Sequence, residues 1–485
     1  MHILDLTLKE IHQAYVEKKI TPREILDEVF RRLEKDKNNL LETSMKKEAY
    51  ERLEQLGEVD IDNPFWGIPF MIKDNYSTKG VETTASSNIL EGYVPVFDAT
   101  VIEKLYASKA LPIGKTTMDE LAMGGNGVTG RKGPTFNPYD PSHHHIIGGS
   151  SCGSAAAVAA GIVPFALGSD TGDSVRKPAS HGGLVGFKPT WSRISRYGLF
   201  PFVPSLDHVA FFTRSVEDAA LALELLAGRD EKDPTSSSKP VEKYHLAIKQ
   251  EIKGKKLAIL NQIFNTIKDR DVIAQFNQLV KKAKQVGFTV DFIDISPELM
   301  RAIYSTYIVL LCAEATSNNA NLDGVRFGKR IDGETYQEIM TRTRTAGFSP
   351  LIKRRFLIGS IALSKENQFE LYLRAQKARG LIVAAVNQVF QDYDAILLPA
   401  APSSAPEFTK NIDVLSDEYL IADNHLAIGN FGGFPSITIP LGFKGQLPFG
   451  VNITGPAFND TDVLAIAHQL EKITGYRNLS ARRMK

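Results

Sequence analysis

The spacing of apolar residues changes from helical to strand-like within the first 75 residues. The first 35 residues predict two amphipathic helices, and the second begins with Thr21 as its cap and Pro22 at its first helical position. Residues 64–73, PFWGIPFMIK, form a short apolar run that contains Pro and Gly. Such a run predicts a buried strand, and this one ends at Lys73.

Helical and strand-like patterns continue to alternate along the rest of the chain, with helical segments running to about residue 390, so the chain predicts an α/β fold. The predicted elements after the first strand are a helix at 98–110 with Asp98 as its cap, a strand at 111–114, a helix at 154–162, a strand at 163–170, a strand at 256–261, a helix at 271–287, a strand at 288–295, three strands at 394–402, 436–441 and 449–454, and a closing helix at 460–475.

Composition and charge narrow the class of protein. Of 485 residues, 43% are hydrophobic and 23% are charged, as in a globular protein that buries a large core. The 57 Lys and Arg residues nearly balance the 56 Asp and Glu residues, for a formal net charge of +1. This balance gives no general attraction to nucleic acid or to an anionic membrane, so we expect any RNA contact to be local or to belong to a partner.

Cysteine usage and the N-terminus indicate a reducing compartment, which we take to be the cytoplasm. The two cysteines, Cys152 and Cys312, stand far apart among small or apolar residues, which argues against a disulfide framework or a cysteine metal site. The N-terminus lacks the pattern of a secretory signal. No window approaches 18 uncharged apolar residues, so we expect no transmembrane helix and no membrane partner.

Three short motifs give weak functional signals. Residues 113–117, IGKTT, match the end of a phosphate-binding loop, but Lys109 stands where that loop needs glycine. Adjacent histidines at 143–145 cannot share one face of a helix or strand, so we interpret them as a solvated loop and predict no metal site. Residues 149–153, GSSCG, fit the G-x-S-x-G nucleophile motif with Ser151, but no hydrophobic strand precedes them. A glycine-rich turn before a packed helix is the favoured interpretation.

Three further segments form a more specific pattern when they are taken together. They are GIPFMIKDN around Lys73, GGSSCGSAAAVAAG from Gly148 and GSDTGDSVRKPASHGGLVGFKPT from Gly168. Ser150 and Ser174 lie 24 positions apart. In order and spacing these segments resemble the amidase signature family, whose members use a Ser-Ser-Lys triad. Segments at 195–228, 314–328 and 353–364 look like those of the tRNA-dependent amidotransferase branch, so the resemblance covers essentially the whole chain.

The resemblance implies the amidase signature fold, an α/β architecture in which helices cover both faces of a mixed central β-sheet. We expect one amidase domain over residues 1–485. Within it we predict a helical N-terminal segment at 1–60 and a lobe of βαβ and helical structure at about 240–390, where a polar loop precedes the strand, helix and strand patterns.

The same resemblance implies that Ser174 is the nucleophile, Ser150 the proton relay and Lys73 the base, with a cis peptide bond between Gly149 and Ser150. A serine hydroxyl attacks well only when a base takes its proton. Lysine serves as that base when it is neutral, and burial favours the neutral form. A carboxylate of Asp74 turned towards Lys73 would oppose this effect.

An oxyanion hole is expected from the backbone N–H groups of Thr171, Gly172, Asp173 and the nucleophile. Asp173 departs from the family pattern, which usually has glycine there. A carboxylate beside a developing oxyanion is unfavourable unless it points away or meets a cation. Arg176 and Lys177 are the two candidates for that cation.

Substrate contacts are also implied by the resemblance. Arg355 and Asp423 match by position the residues that hold the α-carboxylate and α-amino group of free glutamine, and Tyr307 lies near the position of a substrate-contacting tyrosine. A guanidinium suits a carboxylate because it donates two parallel hydrogen bonds. Arg354 is an alternative to its neighbour, both arginines could be surface charges, and the tyrosine could be a packed helix residue.

The implied activity is hydrolysis of glutamine through an acyl-Ser174 intermediate, with release of ammonia. In that branch of the family, partner subunits B and C complete a heterotrimer, and Glu-tRNA(Gln) is amidated by one of these partners. The amidase half-reaction needs no cofactor, whereas the complex uses ATP and Mg. Two alternatives remain: a stand-alone amidase that hydrolyses small amides, and a catalytically weakened scaffold subunit, which Asp173 suggests.

Overall fold

The computed structural model describes residues 2–250, 252–408, 416 and 418–483. The strands in these residues belong to one sheet. In chain order they are β1 Leu41–Ser44, β2 Pro69–Lys73, β3 Leu111–Thr116, β4 Phe165–Asp170, β5 Val185–Lys188, β6 His208–Thr213, β7 Lys256–Leu260, β8 Thr289–Ile293, β9 Ala395–Pro399, β10 Ser436–Lys444 and β11 Leu447–Thr454.

Helices connect the strands and pack against the sheet. In the described part of the chain they are α1 Leu8–Val16, α2 Pro22–Leu33, α3 Lys46–Leu53, α4 Thr100–Ala107, α5 Cys152–Ala159, α6 Arg176–Gly182, α7 Val216–Leu226, α8 Tyr244–Ala247, α9 Asn261–Phe264, α10 Arg270–Gln285, α11 Pro297–Asn318, α12 Tyr336–Gly347, α13 Pro350–Leu363, α14 Arg374–Asp392, α15 Ala427–Phe431 and α16 Asp460–Thr474.

The sheet is mixed, as expected from the sequence. Its strand order is β1-β3-β2-β4-β6-β5-β10-β11-β9-β7-β8. The strand β2 runs parallel to both β3 and β4, and β7 runs parallel to both β8 and β9. The other neighbouring pairs are antiparallel. This arrangement confirms the predicted α/β class with a mixed central sheet.

Local sequence explains where several elements begin. The Thr21 hydroxyl accepts the Glu24 N–H, and the Glu24 carboxylate accepts the Thr21 N–H, so a capping box starts α2 with Pro22 at its first position. The predicted Asp98 cap of α4 is wrong. The Asp98 carboxylate instead accepts the Lys79 N–H at 2.8 Å, and Ala99 stands at the cap position without a side-chain hydrogen bond.

Sheet topology places the candidate site at the carboxyl ends of two parallel strands. Because Ile72 of β2 is paired with Leu167 of β4, Lys73 emerges beside the last residues of β4. The chain then turns from Asp170 through the segment that contains Ser174 into α6. Parallel strands that end at the same edge form the usual location of a binding crevice in α/β sheets.

The sequence predicts a helical N-terminal segment at 1–60 and a lobe at about 240–390. The first 60 residues contain α1–α3 and also β1, a strand that was not predicted. The strands of the predicted lobe, β7 and β8, belong to the same sheet as the N-terminal strands. The division into a helical segment, a core and a lobe stays a prediction.

The helix that begins at Pro297 is the one described helix with the length and composition to cross a membrane, over Pro297–Asn321. Of its most apolar window, 44% is buried inside the protein. It packs against α13 and α14.

Candidate active site

Lys73 lies at the centre of the site and donates to hydroxyl groups. Its Nζ lies 2.8 Å from Ser150 Oγ, 2.9 Å from Ser151 Oγ and 2.9 Å from Ser169 Oγ, and 3.3 Å from the Ser169 carbonyl oxygen. The side chain is completely buried. No carboxylate is among these partners, so hydroxyl and carbonyl oxygens supply the hydrogen bonds of Lys73.

Burial lowers the pKa of Lys73 to about 8, because removal from water disfavours the ammonium form. The more distant charges of Asp119 and Asp170 oppose this shift without cancelling it. Asp74 turns away from its neighbour in sequence: its carboxylate accepts the N–H and the hydroxyl of Thr84 and lies 3.4 Å from Lys115 Nζ. The lysine is therefore substantially neutral near pH 8 and is able to accept a proton.

The glycine-rich turn before α5 presents Ser150 to Lys73. The peptide bond between Gly149 and Ser150 is cis, as the resemblance implies. Asp119 fills the space beside this turn, and a Cβ on Gly149 would lie only 2.0 Å from its Oδ2. The Asp119 carboxylate also accepts the N–H groups of Gly127 and Val128 at 3.0 and 2.9 Å, which fixes the neighbouring loop.

Ser174 lies on the loop that faces this turn. Its carbonyl oxygen accepts the Ser151 N–H at 3.3 Å, so the two segments touch, and its side chain is 3% exposed. Within the described residues, no hydrogen bond joins the Ser174 hydroxyl to that of Ser150. The structure therefore brings Lys73 and Ser150 into direct contact and places Ser174 on the adjacent loop.

The loop from Thr171 to Ser174 is held in shape by two buried carboxylates. Asp170 pairs with Arg176 at 2.8 Å, and Arg176 also donates to the Gly172 carbonyl oxygen at 2.7 Å. Burial alone would raise the pKa of Asp170, but the guanidinium holds it well below its ordinary value. On the other side, the Thr171 hydroxyl donates to Asp207 at 2.7 Å.

Asp173 meets a cation, and that cation is Lys177 rather than Arg176. Lys177 Nζ lies 2.5 Å from Asp173 Oδ2 and 3.1 Å from Asp423 Oδ2. Asp423, expected from the resemblance to bind substrate, is thus linked through Lys177 to the loop from Thr171 to Ser174. Burial alone would lower the pKa of Lys177, but the two carboxylates raise it above its ordinary value, so its ammonium form is stabilised.

Tyr307 lies directly against Gly172 in the loop from Thr171 to Ser174. A Cβ on Gly172 would lie 2.6 Å from its Oη, so only glycine leaves room for this ring. Its ring centroid lies 6.5 Å from that of Phe431. Burial raises the pKa of the Tyr307 phenol, and Asp173 adds to that shift.

The two arginines of α13 differ in exposure. Arg355 is half-buried and close enough to Tyr307 for its charge to lower that phenol's pKa, whereas Arg354 is exposed. In the part of the chain that the structure describes, no hydrogen bond or ion pair engages the Arg355 guanidinium. Of the two, Arg355 is the residue with access to the site.

Sequence reasoning missed three residues of this site, Ser169, Asn75 and Asp119. Ser169 contacts Lys73 through its hydroxyl, and Asn75 Nδ2 donates to the same hydroxyl at 3.0 Å. Asp119 supports the turn that contains Ser150. A serine at the end of a buried strand and an aspartate before a glycine-rich run were the available signals, but neither indicates its spatial neighbour. Among the described residues, no group of three or more His, Cys, Asp and Glu side chains could hold a metal ion.

These elements define the class of protein. The family model for amidases matches residues 24–464, and the chain belongs to the amidase signature family. It is 39% identical over 483 residues to the A subunit of the glutamyl-tRNA(Gln) amidotransferase of Listeria monocytogenes serotype 4b, with 98% of this chain and 99% of that protein covered. It is 38% identical to the corresponding A subunit of Halothermothrix orenii, with 97% and 98% covered.

Solved structures give the same picture of the fold. The crystal structure of the A subunit of glutamyl-tRNA(Gln) amidotransferase from Thermotoga maritima matches with a TM-score of 0.78 and 34% sequence identity, and the match covers 97% of this chain and 95% of that chain. A further match, to a complex described as revealing the evolutionary origins of an s-triazine catabolic enzyme, has a TM-score of 0.83 and 29% identity and covers 98% and 100%.

Proposed function

We propose that this chain is the amidase subunit of a glutamine-dependent amidotransferase that acts on Glu-tRNA(Gln). It hydrolyses the side-chain amide of glutamine and releases ammonia for a partner subunit. The relatives named as the A subunit of this enzyme, which align over nearly the whole chain, support the proposal. The observation that carries it is the 2.8 Å hydrogen bond between Lys73 and Ser150 in a completely buried setting.

The chemistry begins with proton transfer. Neutral Lys73 takes the Ser150 proton while Ser150 takes the proton of Ser174, and the freed Ser174 Oγ attacks the amide carbon of glutamine. Catalytic hydrogen bonds often tighten only when substrate is bound, so the Ser174 hydroxyl is expected to turn towards Ser150 in the complex.

The tetrahedral intermediate places its oxyanion against the backbone N–H groups of residues 171–174. Its C–N bond then breaks, and the proton held by Lys73 returns through Ser150 to the leaving nitrogen, which departs as ammonia. The γ-glutamyl ester on Ser174 is hydrolysed by water, with the same groups removing the water proton. The balance is glutamine plus water to glutamate plus ammonia.

Substrate recognition is assigned to three groups. The guanidinium of Arg355, which has no hydrogen-bond or ion-pair partner among the described residues, pairs with the α-carboxylate of glutamine, because a planar fork of N–H donors matches a carboxylate. Asp423 accepts the α-ammonium group. Tyr307 closes the site over Gly172 and sets the distance between the amide and the oxyanion loop.

The ammonia needs a consumer, because release into water would waste it. We assign that role to partner subunits B and C of a heterotrimer, which bind Glu-tRNA(Gln) and use ATP and Mg, and we place the assembly in the cytoplasm. The formal net charge of +1 supports RNA binding by a partner rather than by this chain. The amidase half-reaction itself uses only protein groups.

The test replaces Ser174 by alanine in the complete complex. We expect Ser174→Ala to abolish glutamine-dependent formation of Gln-tRNA(Gln) and to leave the ammonium-dependent reaction near the wild-type rate, because the partner's site is untouched. Ser238→Ala, at an exposed serine, is the matched control and should change neither rate. Glutamine-dependent activity that persists without Ser174 would refute the assignment.

The same assays separate the two alternatives. Strong turnover of simple amides by the isolated chain, with no stimulation by partners, would indicate a stand-alone amidase. A complete complex that uses ammonium but never glutamine would indicate a scaffold subunit.

A further inference from the structure

Lys177 forms a bridge between two carboxylates from distant parts of the chain. Its Nζ lies 2.5 Å from Asp173 and 3.1 Å from Asp423, a residue 246 positions away in sequence. The exposed fractions of the three side chains are 8% for Lys177, 18% for Asp173 and 29% for Asp423. The bridge therefore lies largely out of solvent, where charge interactions are strong.

No other described cation pairs with these carboxylates. Arg176, the residue before Lys177, instead donates to the Asp170 carboxylate and to the carbonyl oxygens of Gly172 and Leu426, the last at 2.7 Å. Arg355 makes no ion pair with either carboxylate. Neutralisation of Asp173 thus depends on Lys177 alone among the residues that the structure describes.

Asp173 matters because of where the oxyanion forms. Its own backbone N–H, together with those of Thr171 and Gly172, belongs to the segment assigned to the oxyanion hole. A negative side chain here, without a counter-ion, would oppose the negative charge that develops on the substrate oxygen. A glycine at this position, as is usual in the family, would avoid the problem, so the bridge compensates for a departure in this chain.

We infer that Lys177 is a positioning residue for the amidase reaction: its ammonium neutralises Asp173 beside the oxyanion-binding N–H groups and holds Asp423 against the same loop. The inference rests on the proposed function and deepens it. It assigns two separable effects to one side chain, because Asp173 acts on the transition state of any amide and Asp423 acts only on a substrate with an ammonium group.

The experiment is a double-mutant cycle on the complete complex with Lys177→Met, Asp173→Gly and the double variant. Methionine keeps the length of the side chain and removes its charge. We expect Lys177→Met to lower kcat for glutamine roughly 30-fold, since a bare carboxylate then faces the oxyanion. The double variant should recover at least tenfold of that loss, because the unpaired carboxylate is gone, and Asp173→Gly, which keeps its backbone N–H, closes the cycle.

KM supplies a second readout that a structural role would not move in this pattern. In both Lys177→Met backgrounds, KM for glutamine should rise about tenfold, because Asp423 loses the group that holds it in place. A fluorophosphonate has no ammonium group, so its rate of reaction with Ser174 should fall across the variants in proportion to kcat and should not reflect the change in KM. Lys444→Met removes a lysine–aspartate pair remote from the site, the pair with Asp269, and should change none of these values.

Each outcome has one consequence. An unchanged kcat in Lys177→Met, or a double variant as impaired as that single variant while both retain the wild-type circular dichroism spectrum, would overturn the inference and leave the proposed function standing. A wild-type complex that neither hydrolyses glutamine nor reacts at Ser174 with the fluorophosphonate would overturn the proposed function, and the inference with it.

Discussion

Two buried lysines near the loop that contains Ser174 have opposite surroundings. Lys73, on the side of the glycine-rich turn, contacts three serine hydroxyls, and burial lowers its pKa to about 8. Lys177, on the helix that follows this loop, contacts two carboxylates that raise its pKa above the ordinary value. Both side chains are almost inaccessible to water, so burial alone does not decide the protonation state of either.

This contrast shows which neighbouring groups suit a lysine that acts as a base and which suit a lysine that acts as a counter-ion. A general base must be neutral at the working pH, and hydroxyl groups allow this because they carry no formal charge to stabilise the ammonium form. A counter-ion must remain charged, and carboxylates ensure this. Under the proposed roles, the site uses lysine for two purposes, and the groups around each lysine determine which purpose it serves.

The largest expected effect comes from removal of the base. Lys73→Met should lower kcat for glutamine about 10⁴-fold, because Lys73 is the one amine or carboxylate among the described residues that forms a hydrogen bond with the Ser150 hydroxyl. Single-turnover formation of the γ-glutamyl enzyme is the measurement. The variant should remain folded, since methionine suits a dry site that offers Lys73 no ion pair.

Lys444→Met serves again as the control, with an expected change in kcat of less than twofold. A Lys73→Met enzyme that keeps a tenth or more of the wild-type rate would show that the role of general base has been assigned to the wrong residue.

The pH dependence tests the protonation state of Lys73 directly. Because its pKa is about 8 and the neutral form is active, kcat/KM should rise with pH, about tenfold per unit below 8, and level off above that value. From pH 6 to pH 8 the expected gain is about 50-fold, because half of the lysine is neutral when the pH equals its pKa. The measurement is the initial rate of glutamine hydrolysis at constant ionic strength.

Ser174 acylation by the fluorophosphonate should show the same rising limb, because it needs the same base. A profile that is flat from pH 6 to pH 9 would mean that Lys73 does not change its protonation state in this range. The pKa of about 8 that distinguishes it from Lys177 would then be wrong.

Local sequence predicted those parts of the fold that depend on near neighbours. The periodicity at 271–287 and 460–475 corresponds to α10 at Arg270–Gln285 and α16 at Asp460–Thr474, and the capping residues of α2 were identified. The four-residue β1 was missed because three of its four residues are polar and its pairing partner β3 lies about 70 positions away. The strands β5 and β6 also escaped prediction.

The residues of the candidate site were likewise predicted only in part. Motif spacing named Lys73, Ser150 and Ser174, and the resemblance supplied their roles. It could not show that Ser169 would reach Lys73, because that contact follows from the register between β2 and β4 and spans 96 positions. Nor could it choose Lys177 over Arg176 as the partner of Asp173, since both lie on the same helix and the choice depends on Asp170 and Asp423.

The smallest predicted effect concerns Ser169. Its hydroxyl is one of three that contact Lys73, and it accepts a hydrogen bond from Asn75, so it fixes the position of Nζ while Ser150 receives or returns the proton. Ser169→Ala should lower kcat about tenfold, through poorer alignment of the base rather than its loss. KM for glutamine should stay within about twofold, because no substrate contact is assigned to this residue.

The same variant should also move the pH profile. Loss of a hydrogen bond that stabilises the ammonium form lowers the pKa of Lys73 further, so the rising limb should shift to lower pH by about half a unit. Ser151→Ala, which removes another of the three hydroxyl partners at nearly the same distance, is the matched comparison and should shift the limb in the same direction. A shift to higher pH in either variant would mean that these hydroxyls stabilise the neutral amine rather than the ammonium form. The low pKa of Lys73 would then result from its serine partners as well as from burial.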